Sequence, residues 1–99
     1  MTYSRYNEQR DFRRMTVDAP TKVVFVKDDT MVQVDAICKD LSATGLSLQV
    51  PQALLVGDLI EVIIHGQNVA PLDIKAKVRR VQALDDGNYL LGCETTSVR

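Results

Sequence analysis

From Thr21 onward, apolar and polar residues alternate in short runs separated by turn residues. In an extended strand successive side chains point to opposite faces, so a period of two marks one buried face. Within Met31 to Leu41, Val32, Val34, Ala36 and Cys38 alternate with Gln33, Asp35 and Lys39. Leu46, Leu48 and Val50 alternate with Ser47 and Gln49, and Pro51 ends that run because it cannot donate a ladder hydrogen bond. Ile60, Val62 and Ile64 share a face in the run opened by Gly57-Asp58. Leu72 to Val81 places Ile74, Ala76 and Val78 inward with Lys75, Lys77 and Arg79 outward. Asp85-Asp86-Gly87-Asn88 is a hairpin turn signal, after which Tyr89, Leu91 and Cys93 alternate. Adding Lys22 to Val26, which leads into a turn at Asp28-Asp29, gives about six strands. Only residues 51–56 are expected to form a short helical turn. The pattern predicts an all-β fold, a small six-stranded antiparallel β-barrel, since closure removes exposed strand edges.

Ninety-nine residues make one domain with a single core. Met1 to about Arg14 is polar and shows neither strand nor helix periodicity. The division expected is therefore a flexible N-terminal arm over residues 1–14 and a barrel over 15–99. No run approaches the ~18 apolar residues of a membrane span, and the polar N-terminus does not read as a secretory signal. Cys38 and Cys93 lack metal-type spacing and lie in apolar runs, as buried free thiols of a reducing compartment do. A cytoplasmic location without membrane insertion is the expectation.

The net charge of −1 argues against nucleic-acid binding through a generally basic surface. Its distribution is uneven. Arg5, Arg10, Arg13 and Arg14 face only Glu8 and Asp11 in the first 14 residues, a local net of +2 that leaves −3 for the remainder. A cationic arm on a mildly acidic body suits capture of a small dianion. Lys75, Lys77, Arg79 and Arg80 form a basic stripe on one late strand, read as a solvated face or a docking surface. His65 is the sole histidine and is placed at the surface. No catalytic triad or metal-ligand set accompanies it, so no enzyme activity, metal or cofactor is expected.

Two clusters carry the candidate chemistry. Arg10-Asp11-Phe12-Arg13-Arg14 reads as R-x-x-x-R, and Asp40-Leu41-Ser42-Ala43-Thr44-Gly45 as D-x-S-x-x-G. An arginine presents two parallel donors to guanine O6 and N7 or to phosphate oxygens. A carboxylate accepts from guanine's N1–H and exocyclic amine. A serine hydroxyl donates once and accepts twice, and a glycine admits close backbone approach. Taken singly, each has a plainer explanation: R-x-x-x-R as a solvated basic arm, and Asp, Ser and Gly as ordinary turn residues, with Gly accepting a positive φ. Phe12 reads as a packing anchor for the arm.

Together, and in this order, the clusters resemble the PilZ domain, a bacterial receptor module for cyclic di-GMP. The resemblance extends to Gly45–Val50, Val56–Val62, Val78–Val81 and Leu91–Glu94, so it covers nearly the whole chain. Many members carry a further arginine before R-x-x-x-R, where this chain has Gln9, and many continue into a C-terminal helix beyond the last strand. What the resemblance implies is a cyclic di-GMP site. Arg10 and Arg14 would clamp guanine and phosphate, Asp40 would read the guanine Watson–Crick edge, and Ser42 would bond phosphate or base. Gly45 would keep the turn open, and Arg13 would add charge or stack on a purine. The function implied is a non-catalytic sensor whose arm changes position on binding cyclic di-GMP. It would signal in trans to a protein effector such as motility, adhesion or exopolysaccharide machinery. The alternative is a nucleotide-independent interaction module of the same fold, of the kind that serves pilus or motility assembly.

Overall fold

The computed structural model describes residues 15–66 and 70–98. Its strands are β1 (Met15–Lys27), β2 (Thr30–Leu41), β3 (Gly45–Val50), β4 (Leu59–Ile64), β5 (Leu72–Ala83) and β6 (Tyr89–Val98). They close into a barrel in the order β1-β2-β3-β6-β5-β4, and every neighbouring pair is antiparallel. Closure is made where Thr21–Val24 of β1 meets Glu61–Ile64 of β4. The protein is thus the six-stranded antiparallel barrel that the alternation predicts, with no helix among the described residues. None of them forms a helix long and apolar enough to cross a membrane.

The inward positions meet in one core. Val23, Cys38, Leu48, Val50, Val62, Ile74, Val78 and Leu91 are almost wholly removed from solvent. Burying one such aliphatic side chain is worth ~1.5–3 kcal/mol. Val32 and Val34 share their face but are only half-buried, for a topological reason. β4 pairs with β1 only from Thr21 to Val24, and β3 pairs with β2 only from Ile37 to Leu41. The β1–β2 hairpin therefore runs on past the barrel wall, and Val26 and Met31 near its tip are largely exposed.

Two local expectations are corrected. β1 begins at Met15, six residues before Thr21, although Asp18 and Pro20 interrupt the pattern there. Asp18 sits in a bulge at φ 45°, a backbone region that aspartate tolerates better than most residues, and pairs with Lys39 at 2.8 Å. The Pro20 carbonyl accepts from the His65 N–H at 3.0 Å, just beyond the last β1–β4 pair. Its missing N–H thus faces the margin of that ladder, where proline is tolerated.

Residues 51–56 form no helical turn. Leu54 instead drops into the core, and the bonds a helix would make internally are made elsewhere. The Leu55 N–H donates to Asp58 Oδ2 at 2.9 Å, and the Asp58 N–H to the Leu55 carbonyl at 3.0 Å. Gly57 at φ 99° donates to the Val78 carbonyl at 2.7 Å, and the Val78 N–H donates back to the Asp58 carbonyl at 2.9 Å. The connector is an irregular extension of the β4–β5 ladder.

Candidate functional site

The D-x-S-x-x-G segment is the connection from β2 to β3. Ser42 organises it: its N–H donates to the Gly45 carbonyl at 2.8 Å, and its hydroxyl donates to the same carbonyl at 3.1 Å. The hydroxyl oxygen also accepts from the N–H groups of Thr44 (3.4 Å) and Gly45 (3.2 Å). One donor and two acceptor sites are all that a serine hydroxyl has. Here all three are committed to the turn, and the plain turn reading of Ser42 holds in this conformation.

Gly45 is required for a different reason from the positive φ that turn chemistry predicts, since the positive-φ glycines are Gly57 and Gly87. It opens β3 opposite Glu94, and a Cβ there would stand 2.5 Å from the Cys93 carbonyl oxygen. The Thr44 carbonyl accepts from the Thr95 N–H at 2.9 Å, tying the turn to β6 on the same side. Close backbone approach is therefore what glycine supplies.

Beside this turn lies an open hollow of about 370 Å³. Ser42, Thr44, Gly45, Leu46 and Ser47 form one side, Gly92, Cys93 and Glu94 the floor, and Arg79 and Arg80 the other side. Its size falls within the range of ordinary small-molecule sites, about 300–1,000 Å³. Asp40 is half-buried on β2, where its backbone pairs with Ser47 of β3 and Thr16 of β1. It therefore stands on the strand that feeds the hollow's serine-lined side. Ser42 and Gly45 are brought into the hollow together. Arg10, Arg13 and Arg14, along with Phe12, lie outside the described residues.

Arg79 and Arg80 are exposed, as the basic stripe predicts, but alternation does not foresee that they line this hollow. The pairing runs Val78 to Cys93 and then Arg80 to Gly92, so Arg79 is the extra residue of a bulge. A bulge breaks the in-and-out period, and both arginines line the same hollow. They thereby part company with Lys75, which borders a separate apolar groove with Val26, Met31 and Leu59. The sequence does hold a clue, because two consecutive charged residues interrupt one alternating run and Gly92 lies inside the next. Glycine inside a strand often marks a bulge or a close approach.

Arg79 Nη1 lies 3.6 Å from Glu94 Oε1, with both side chains more than half exposed. Arg80 has no carboxylate within ion-pairing distance among the described residues. Beneath the site, burial followed by the Asp40 carboxylate pushes the Cys38 thiol up to about 11. Burial followed by Cys38 pushes Cys93 up to about 12. Both are free and buried, as expected, and both are neutral at physiological pH. Among the described residues no cluster of three or more His, Cys, Asp or Glu could hold a metal ion, and His65 is exposed. The arrangement offers hydrogen-bond donors and cations around a hollow.

The family model described as the PilZ domain matches residues 8–99, which takes in both clusters and all six strands. No curated protein matches the chain.

Proposed function

The chain belongs to the PilZ domain family, and on that premise we propose that it is a non-catalytic cyclic di-GMP sensor. Members of the family are generally cyclic di-GMP-binding modules that typically act on protein partners. The observation that carries the reading is the hollow itself, with the D-x-S-x-x-G turn on one side and two arginines on the other. Such a site supplies donors and positive charge to a compact dianion, with Glu94 of the lining held by Arg79.

In this reading Arg10 and Arg14 clamp guanine and phosphate across the mouth of the hollow. Asp40 accepts from the guanine Watson–Crick edge, Gly45 admits the ligand close to backbone, and Arg13 adds charge or stacks on a purine. Ser42 acts first by holding the turn, and bonds phosphate or base only by exchanging one of its present partners. Binding then moves residues 1–14 against the barrel, and the altered surface is read by a cytoplasmic protein effector of motility, adhesion or exopolysaccharide machinery. A ligand shifts such an equilibrium by the difference in its affinity for the two states.

A second reading is a nucleotide-independent interaction module. It is favoured by the exposed Val26, Met31 and Leu59, which frame an apolar groove of about 260 Å³ away from the hollow. Calorimetric titration of the full chain with cyclic di-GMP separates the two. Saturable binding is expected, and a folded protein giving no binding heat leaves only the interaction module.

A further inference from the structure

We propose that Arg80 is a ligand contact in its own right, a guanidinium seated over Gly92 that pairs with a phosphate of the dinucleotide. This rests on the cyclic di-GMP reading of the hollow and adds to it a residue outside both sequence clusters.

The seat is built by the bulge and by the glycine. Because Arg79 is the extra residue, Arg80 pairs directly with Gly92 on β6. A Cβ at Gly92 would stand 3.1 Å from Arg80 Nη2 and 3.3 Å from Nε. The guanidinium therefore lies across the neighbouring strand, in space that any other residue at position 92 would begin to fill. The same Cβ would be 3.4 Å from Arg80 Cβ, and Arg80 itself is exposed.

Charge gives the seat its use. Arg79 is engaged with Glu94, whereas Arg80 lines the hollow with no carboxylate partner among the described residues. A guanidinium has five N–H donors and no acceptor, so it recognises an anion or an oxygen-rich edge. Opposite it the Ser42 hydroxyl is spent on its own turn. Arg80 is thus the unpaired cation of the hollow among the described residues. It stands on a barrel strand rather than on the N-terminal segment that carries R-x-x-x-R. Two phosphates can then be met from two directions, one by residues 10–14 and one by Arg80.

The test is calorimetric titration of the full chain with cyclic di-GMP at several salt concentrations, comparing wild type, Arg80→Gln, Gly92→Ala and Lys75→Ala. Lys75→Ala removes one positive charge from the same strand, outside the hollow. Arg80→Gln is expected to weaken binding by about tenfold to a hundredfold, as loss of a charge-assisted hydrogen bond does. It should also reduce the salt dependence, while Lys75→Ala stays near wild type. Gly92→Ala should weaken binding with the arginine still present, because its added methyl displaces only a flexible side-chain end. If wild type binds and Arg80→Gln stays within about threefold of it, the proposal is overturned and the cyclic di-GMP reading stands. If folded wild type gives no saturable binding, both fall.

Discussion

Gly45 at the start of β3 lies so close to β6 that a Cβ on it would come within 2.5 Å of the Cys93 carbonyl oxygen. The contact is backbone to backbone, so no rotamer change can relieve it. The glycine of D-x-S-x-x-G therefore fixes how the turn docks on the strand that floors the hollow. Gly45→Ala should destabilise the barrel by about 1–3 kcal/mol, the usual cost of forcing atoms into a packed site. Urea denaturation followed by circular dichroism checks this. An unchanged midpoint would show that the β3–β6 contact yields easily.

Arg10→Ala, Arg14→Ala and Asp40→Ala should each weaken cyclic di-GMP binding without unfolding the barrel. Each removes a charge-assisted hydrogen bond of roughly 1.5–3 kcal/mol, equivalent to about tenfold to a hundredfold in affinity. Ser42→Ala should behave differently. It strips the turn of three hydrogen bonds at once, so thermal stability should fall along with affinity.

The buried thiols predict an alkaline limit. Folding raises Cys38 to about 11 and Cys93 to about 12 from an ordinary value of 9.0, so above pH 9 the unfolded chain releases protons that the folded one retains. Stability is fully present below that ordinary value and is lost as pH rises through the folded-state values. Chemical denaturation between pH 7 and 11 should show a decline beginning near pH 9, a decline that Cys38→Ala and Cys93→Ala each reduce. A pH-independent midpoint in wild type would contradict the assignment.

A chain beginning at Met15 keeps every strand and the Asp40–Gly45 turn but lacks Arg10, Arg13 and Arg14. Its melting temperature should fall only modestly, whereas cyclic di-GMP binding should drop below detection. In the full chain, residues 8–15 should gain hydrogen-exchange protection when the nucleotide is added. Tight binding by the shortened chain, or equal protection with and without ligand, would remove the clamp from the account.

Most of the barrel was legible because its inward faces keep a strict period of two: Leu46, Leu48 and Val50 on β3 and Ile74, Ala76 and Val78 on β5 are all buried. The failures fall where long-range partners override the local pattern. Pro20 is accommodated by the margin of the β1–β4 ladder, and residues 51–58 take their hydrogen bonds from Asp58 and Val78. In the site, the turn was readable from Asp40, Ser42 and Gly45, but the reason for the glycine was not, since it depends on where β6 passes. Arg79 and Arg80 escaped for the same reason. A bulge, which alternation cannot foresee, turns both toward the hollow.

The central claim, that the chain recognises guanine in a cyclic dinucleotide through Arg10, Arg14 and Asp40, is tested most directly by titrating the full chain with cyclic di-GMP and cyclic di-AMP side by side. Adenine presents an amine where guanine has O6 and lacks the N1–H that Asp40 would accept from. Saturable binding of cyclic di-GMP, with cyclic di-AMP weaker by about a hundredfold or more, is the predicted result. Equal affinities, or no binding of either, would contradict it.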